Sequence, residues 1–281
     1  MYRRLLNDLV AIRCFYKITS NLNETDFENI IEAMSKLEYD MPDMILFDSN
    51  FLVMLQLGRY DYAKKMLDIL EQKINSLSLP SKNIILDVYR SIYYSFKDDP
   101  NQYQFIQNTI NTLTSISKQL SSKLNTLILL LRPFGLENLV LSFFLIIDIL
   151  SKHYKIIEIS MGLKLNESEL LNLDKRLYHL YRYINASDLN IEDLTEALKL
   201  TFDSTLPSRK ILRMVASKTL LFINKIKQNK NYDVLLMLIL FSYALNDTQV
   251  YVDMWSLLDD ANKSKANHLL KDLDELAKAI E

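Results

Sequence analysis

Glycine is scarce in this chain, with only three glycines in 281 residues against a usual share of about 7%. Phosphate-cradling loops and tight hairpins depend on glycine, because it adopts positive φ angles without strain. The chain contains no GxxxxGK[ST], GxGxxG or GxSxG pattern. The sequence therefore disfavours P-loop, dinucleotide-binding and α/β-hydrolase folds.

Cysteine is almost absent as well, since Cys14 is the single cysteine. A disulfide framework and a zinc site with several thiolates are both excluded within the chain. One free thiol suits a reducing compartment, so the expected location is the cytoplasm or the nucleus. Arg3 and Arg4 near the start fit an organellar presequence, but Asp8 and the lack of serine there disfavour one.

Neither net charge nor apolar run length points to a special environment. A net charge of −2 gives no overall attraction to nucleic acid or to an anionic membrane, although it leaves room for a local patch. The uncharged, mostly apolar run at 234–245 has twelve residues, whereas about 20 are needed to span a bilayer. We therefore expect a buried core helix there and no transmembrane segment.

Residues that carry catalysis or bind metals are few and scattered. No two histidines stand three or four residues apart, so no single helix offers a histidine pair to a metal ion. The acid pairs at 98–99 and 259–260 lack the third carboxylate of a DDxxD cluster. The sequence predicts that the protein is not an enzyme and has no catalytic residue, cofactor or metal ion. The histidines are His153, His179 and His268.

Apolar residues recur every three or four positions along nearly the whole chain, which predicts an all-α fold. Segments of about 12 to 22 residues with short joints indicate roughly 13 to 15 helices. The tetrapeptides TDFE at 25–28 and NESE at 166–169 have the pattern of N-terminal caps, in which a short polar side chain accepts a backbone N–H and the glutamate reaches back.

Residues 42–74 are predicted to form two helices that meet at Gly58, where glycine allows the chain to end one helix and turn. Ala63 is small where the two helices would cross. On the matching residues Gly58, Tyr60, Ala63 and Leu67, this unit resembles a tetratricopeptide or pentatricopeptide repeat. The resemblance implies a binding or scaffolding role and does not name a ligand.

Residues 83–116 have the length and helix pattern of a neighbouring unit, with Asp-Asp-Pro at the corner in place of glycine. Many medium-length helices with short joints form antiparallel pairs, which stack or wrap into a bundle. We expect stacked helical hairpins, in an α-solenoid or TPR-like arrangement. They would form one domain over 1–281, with a possible subdivision near 162–167.

Residues 207–230 form the most asymmetric segment, with seven basic residues and no acid. Placed on one helix at about 100° per residue, six of the seven fall within half of the circumference, and Lys230 falls outside it. The segment is therefore predicted to be a basic, imperfectly amphipathic helix. The seven residues are Arg209, Lys210, Arg213, Lys218, Lys225, Lys227 and Lys230.

Three interpretations of this segment stay open. It is a solvated face of a core helix, a docking face for an acidic partner, or a contact for phosphate in RNA, DNA or a lipid headgroup. Many acids lie in the flanking segments, which favours pairing within the chain.

Tyrosine is plentiful, with sixteen residues and clusters at 89–96 and 178–183. Tyrosine combines an apolar ring with a polar hydroxyl and is enriched at protein interfaces. Tyr178, Tyr181 and Arg182 are candidate partner-binding residues, the alternative being that they line grooves between helices.

The sequence thus predicts a non-enzymatic scaffold or adaptor that binds a protein partner as a subunit of a larger complex. The alternative is a helical-repeat factor that contacts RNA or DNA phosphates through the basic segment 207–230.

Overall fold

The computed structural model describes residues 2–37, 41–76, 82–121 and 137–280, and within these ranges it contains helices and no strand. Fifteen α-helices and one short 3₁₀ helix occur in the described ranges. The predicted all-α fold is confirmed. Up to residue 174 the helices are α1 Tyr2–Ser20, α2 Glu24–Ser35, α3 Met41–Gln56, α4 Tyr60–Ser76, α5 Lys82–Lys97, α6 Gln102–Ser121, α7 Glu137–Ser160 and α8 Glu167–Leu173. The later helices are α9 Lys175–Asn185, α10 Ile191–Leu198, the 3₁₀ helix Lys199–Phe202, α11 Ser208–Leu220, α12 Ile223–Gln228, α13 Asp233–Ala244, α14 Thr248–Ser256 and α15 Asp260–Lys278.

The chain divides into two compact units. The terminal unit comprises Met1–Glu28 and Lys175–Glu281, and the middle unit comprises Asn29–Asp174. The second boundary follows α8 and lies a few residues beyond the subdivision predicted near 162–167. That all of 1–281 acts as one domain stays a prediction.

In the middle unit, each described helix from α3 to α7 packs against the next described helix, and α5 also packs against α3 and α7. Aromatic rings fill the contact between α3 and α5, where Tyr89 meets Phe47 and Phe51 edge to face at centroid distances of 5.4 and 5.5 Å. The Tyr89 hydroxyl donates to Asp48. Burial raises the pKa of the Asp48 carboxyl, and this hydrogen bond opposes the effect.

Helices α5 and α6 form an antiparallel hairpin. The rings of Tyr94 and Phe105 lie 5.0 Å apart near the corner. One turn further from the corner, the buried hydroxyls of Ser91 and Thr109 are hydrogen-bonded at 2.7 Å. From the first pair to the second, the residue number falls along α5, from 94 to 91, and rises along α6, from 105 to 109. The two helices therefore run in opposite directions.

The predicted corner at Gly58 is confirmed. Helix α3 ends at Gln56, α4 begins at Tyr60, and Gly58 has φ of +73°. The Arg59 N–H donates to the Met54 carbonyl at 2.8 Å and the Gly58 N–H donates to the Leu55 carbonyl at 3.1 Å, the pattern of a Schellman C-cap. Ala63 is fully buried.

The same kind of helix end recurs where the sequence has no glycine. Among the described residues, three that are not glycine adopt the left-handed conformation, each one or two positions after the end of a helix: Asp98 at φ +59°, Lys230 at φ +53° and Asn246 at φ +53°. Asp98 therefore occupies, between α5 and α6, the backbone position that Gly58 occupies between α3 and α4. The hairpin corner is set by hydrogen bonding to the last helical turn and does not require glycine.

One of the two predicted N-caps is confirmed. The Asn166 side chain accepts from the Ser168 and Glu169 N–H groups at the start of α8. At the start of α2 the capping residue is Asn23, whose Oδ1 accepts from Thr25 and Asp26. The prediction of Thr25 as the cap is wrong, because the helix begins one residue before it.

Helix α13 forms the core of the terminal unit. All of its residues from Val234 to Ser242 are buried, as the apolar run predicts. It packs against α1, α11, α14 and α15, and α1 also packs against α15. The start of the chain is thereby joined to its last helix.

Two polar clusters show that α1, α13 and α15 run parallel and in register. At their N-terminal ends, Tyr2 OH and Lys265 Nζ both donate to Asp233 Oδ1, at 2.6 and 2.9 Å. Three turns further along the same helices, the guanidinium of Arg13 and the hydroxyl of Tyr243 both contact the carboxylate of Asp274. These bonds run from Arg13 Nε to Asp274 at 3.0 Å, from Arg13 Nη2 to Tyr243 OH at 2.8 Å and from Tyr243 OH to Asp274 at 2.6 Å.

No helix within the described ranges combines the length and the apolar character needed to cross a membrane.

Candidate functional site

The basic segment is two helices, so its projection on a single helix is wrong. Helix α11 ends at Leu220, and α12 begins at Ile223 after the two-residue joint Leu221–Phe222. Phe222 and Ile226 are buried, so the orientation of α12 is set by the packing of these two side chains. The lysines of α12 do not continue the helical face of α11.

The two arginines of α11 are engaged at the corner between α13 and α14. Arg209 Nε donates to the Leu245 carbonyl at the end of α13, at 3.2 Å, which suits the negative end of a helix dipole. Arg213 Nε lies 2.8 Å from Asp247 Oδ2. Asp247 is buried and caps the start of α14 by accepting from the Val250 N–H. Both arginines therefore support the fold, as the interpretation of pairing within the chain predicts.

The lysines of this segment are more accessible. Lys225 pairs with Asp188 at 3.0 Å while more than half of each side chain stays in water, and this contact lowers the pKa of Asp188. Lys218 Nζ lies 5.2 Å from the centre of the Phe222 ring. Lys210 is half-buried, whereas Lys227 and Lys230 are exposed.

Two leucines stand exposed among these lysines. Leu221 keeps 75% of its surface accessible and Leu220 keeps 38%. They are adjacent in sequence at the joint between α11 and α12, and the projection on a single helix places both of them on the basic side.

The tyrosine candidates on α9 differ in accessibility. Tyr181 is buried at 9% exposure, whereas Tyr178 is half-buried and Arg182 is exposed. The Arg182 guanidinium carbon lies 5.5 Å from the centre of the Tyr178 ring, and its Nε lies 3.5 Å from Asp193 Oδ2. A partner at this surface meets Tyr178 and Arg182 and does not reach the Tyr181 side chain.

A buried histidine–aspartate pair lies beneath these residues. His179 Nδ1 is 2.7 Å from Asp193 Oδ1, and both side chains are almost fully buried. His179 Nε2 has no hydrogen-bond partner among the described residues. Fourteen positions separate the two residues on different helices, so no local sequence pattern identifies the pair. It joins α9 to α10.

A second histidine, His153, is equally inaccessible. Its Nδ1 lies 2.7 Å from the Ser95 hydroxyl, and both residues are buried between α5 and α7. The pair joins α5 to α7 inside the middle unit. Among the described residues, no group of three or more His, Cys, Asp or Glu side chains is arranged to hold a metal ion.

An open groove of about 250 Å³ lies between α5 and α6 in the middle unit. Ile84 and Phe105 provide apolar surface, and the other lining side chains bear carboxylate, amide or hydroxyl groups. The lining residues are Ile84, Asp87, Phe105, Asn108, Thr109 and Thr112.

The exposed face of α6 beside this groove is polar but uncharged. No charged residue occurs from 100 to 117, which includes most of α6. Gln104 Nε2 donates to Asn108 Oδ1 at 2.9 Å, and the Thr112 hydroxyl donates to the Asn108 carbonyl. The exposed side chains on this face are Asn101, Gln104, Asn108, Asn111, Thr112 and Ser115. This face and the groove together are called the amide groove below. The uncharged stretch is visible in the sequence, but the groove beside it depends on how α5 and α6 pack.

No protein-family model matches this chain, and neither a curated protein nor a solved structure matches it.

Proposed function

We propose that the protein is a non-enzymatic scaffold, a subunit of a larger complex, and that it binds an extended segment of a protein partner in the amide groove. The observation that carries this proposal is the uncharged amide and hydroxyl face of α6 beside an open groove with apolar surface from Ile84 and Phe105. Consecutive packing from α3 to α7 supports a solenoid-like, TPR-like arrangement of the middle unit.

The chemistry of the groove suits a peptide backbone. An Asn or Gln side chain offers an acceptor and two donors, which matches the C=O and N–H groups of an extended chain. Residues four apart on a helix are separated by about 6 Å along its axis. Alternate residues of an extended peptide are separated by about 6.6 Å. Gln104, Asn108 and Thr112 can therefore address successive alternate residues of a peptide that lies along α6.

The experiment is a display selection of random twelve-residue peptides on the whole chain, followed by titration of the enriched peptides. We expect Asn108→Ala to weaken binding about fivefold, since one lost hydrogen bond in such a site is worth about 1 kcal/mol. The matched control is Asn224→Ala, which removes an exposed asparagine from α12. Failure to enrich any peptide, or equal effects of the two variants, would refute the proposal.

Contact with RNA or DNA phosphates through 207–230 is the second proposed function, and the exposed lysines of α12 support it. Binding of this kind falls steeply with salt because counterions are released, whereas binding in the amide groove, whose α6 face carries no charge, depends less on salt. Lys225→Gln with Lys227→Gln is the appropriate variant. Charge reversal at Arg213 would place a second carboxylate against the buried Asp247 and disturb the fold. If the lysine variant leaves nucleic-acid binding unchanged, the second proposal fails.

A further inference from the structure

We propose that the joint between α11 and α12 binds to the surface of an anionic membrane, with Leu221 inserted between the lipid headgroups. The inference concerns the terminal unit and does not depend on the amide groove. It rests on the combination of exposed apolar side chains and accessible lysines at one short joint.

Leu221 carries the apolar part of the argument. With 75% of its surface in water, the side chain projects from the protein and does not lie in a groove. Leu220, the preceding residue, is 38% exposed. The backbone keeps right-handed helical turns through the joint, because the Leu221 N–H donates to Lys218 and the Phe222 N–H donates to Thr219. Successive residues of a helical turn diverge by about 100°, so the two leucines present apolar surface on adjoining faces of the joint.

Lysines flank this apolar tip on both sides. Lys218 lies in the last turn of α11, three positions before Leu221, and Lys225 lies in α12, four positions after it. Lys227 and Lys230 follow on the exposed side of α12 and at its end. The Lys225–Asp188 pair is exposed, and an exposed ion pair contributes little free energy. A competing lipid phosphate can therefore replace Asp188.

The leucines favour a lipid surface over nucleic acid. Phosphates of RNA or DNA gain nothing from an exposed leucine, and single-stranded bases stack on aromatic or arginine side chains. A bilayer interface can bind both the lysines and the leucine, because anionic headgroups attract lysine and the apolar side chain inserts at the boundary with the acyl chains. A projecting side chain also suits a soft, flat surface without a matching pocket.

The test is sedimentation of the whole chain with vesicles of phosphatidylcholine alone or with 30% phosphatidylserine. We expect binding to the anionic vesicles only. Changing Lys225→Gln together with Lys227→Gln should lower the partition coefficient roughly 10- to 30-fold. Leu221→Ser should lower it about tenfold. The matched controls are Lys271→Gln with Lys278→Gln on α15, and Val252→Ser, which removes another exposed apolar side chain from the terminal unit.

Insertion has its own readout, because Trp255 is the single tryptophan. An added Leu221→Trp reporter should show a blue shift of emission with anionic vesicles, measured as the difference from the wild type, whereas Val252→Trp should show none. Binding without that shift, or binding unchanged by Leu221→Ser, would mean adsorption by charge alone and would overturn the proposal. Absence of binding to anionic vesicles would overturn it too. Tighter binding to single-stranded RNA or to a polyglutamate peptide than to anionic vesicles would also overturn the proposal.

Discussion

At the scale of single residues, the ends of the helices depend on backbone geometry more than on residue type. Glycine occupies two of the left-handed positions after helices, at Gly58 and Gly162, and a lysine occupies another, at Lys230. The left-handed conformation costs a residue with a Cβ roughly 1–2 kcal/mol. The residue type at such a position therefore changes stability without changing the fold.

Gly162 and Lys230 provide a paired test of this cost. A Cβ added at Gly162 would meet no atom within 4 Å, so Gly162→Ala should lower the free energy of unfolding by about 1 kcal/mol through backbone strain alone. Lys230→Gly should raise it by a few tenths to about 1 kcal/mol. Urea unfolding followed by circular dichroism measures both. If both substitutions raised the free energy of unfolding, or both lowered it, backbone strain at the left-handed positions would not explain the effect.

Buried tyrosines make stability sensitive to alkaline pH. Burial raises the pKa of Tyr183 to about 12 from its usual 10.0, and burial together with the bond to Asp274 raises the pKa of Tyr243 to about 12. A raised pKa means that the folded state holds the proton more tightly. The associated stability is present below pH 10 and is lost as the pH rises towards 12.

Tyr183→Phe isolates this effect at one site. Its hydroxyl lies 2.8 Å from that of Thr219, which also donates to the Val215 carbonyl and so keeps a partner in the variant. The variant should lose about 1 kcal/mol at pH 7. Between pH 10 and 12, the free energy of unfolding should fall less for the variant than for the wild type, the difference being on the order of 2 kcal/mol. Parallel pH profiles for the two proteins would rule out ionisation of Tyr183 as the cause.

The sequence predicts residue roles only where chemistry is local. The cap at Asn166 and the corner at Gly58 follow from neighbouring residues, and both are confirmed. The roles of Arg209 and Arg213 depend on Leu245 and Asp247, more than thirty positions away, so a helical projection assigns them to an open basic face.

At the scale of elements, the parallel set of α1, α13 and α15 is the main structural result for the terminal unit. The sequence predicts each helix from its periodicity, but it contains no signal that pairs the first helix with the last. The break between α11 and α12 is equally hidden. No glycine or proline marks it, and it arises from burial of Phe222 and Ile226.

If α1 is part of this core, a cavity in α1 must destabilise the whole terminal unit. Leu9 is fully buried, and Leu9→Ala should lower the free energy of unfolding by about 2–5 kcal/mol. Amide hydrogen exchange should become faster in α13 and α15 as well as in α1. Asp8→Ala, one residue away and exposed, is the control and should change little. Faster exchange confined to α1 would contradict the parallel packing.

At the scale of the whole molecule, two units of different construction share one chain. In the middle unit, described helices that follow one another in the chain pack together, and the unit contains the corner at Gly58 between α3 and α4. The terminal unit instead surrounds one buried helix with segments from both ends of the chain. The hairpin at Gly58 is readable from the sequence because its contacts are between helices that are neighbours in the chain. The arrangement of the terminal unit is not, because its contacts join distant segments.

The most direct test of the scaffold proposal asks whether a selected peptide covers the amide groove. Cys14 is buried and is the single cysteine, so Thr112→Cys introduces one accessible thiol in the groove and Asn224→Cys introduces one on α12. At a peptide concentration ten times its Kd, alkylation at position 112 should slow about tenfold, with no change at position 224. Equal alkylation rates at position 112 with and without the peptide would contradict the proposed function.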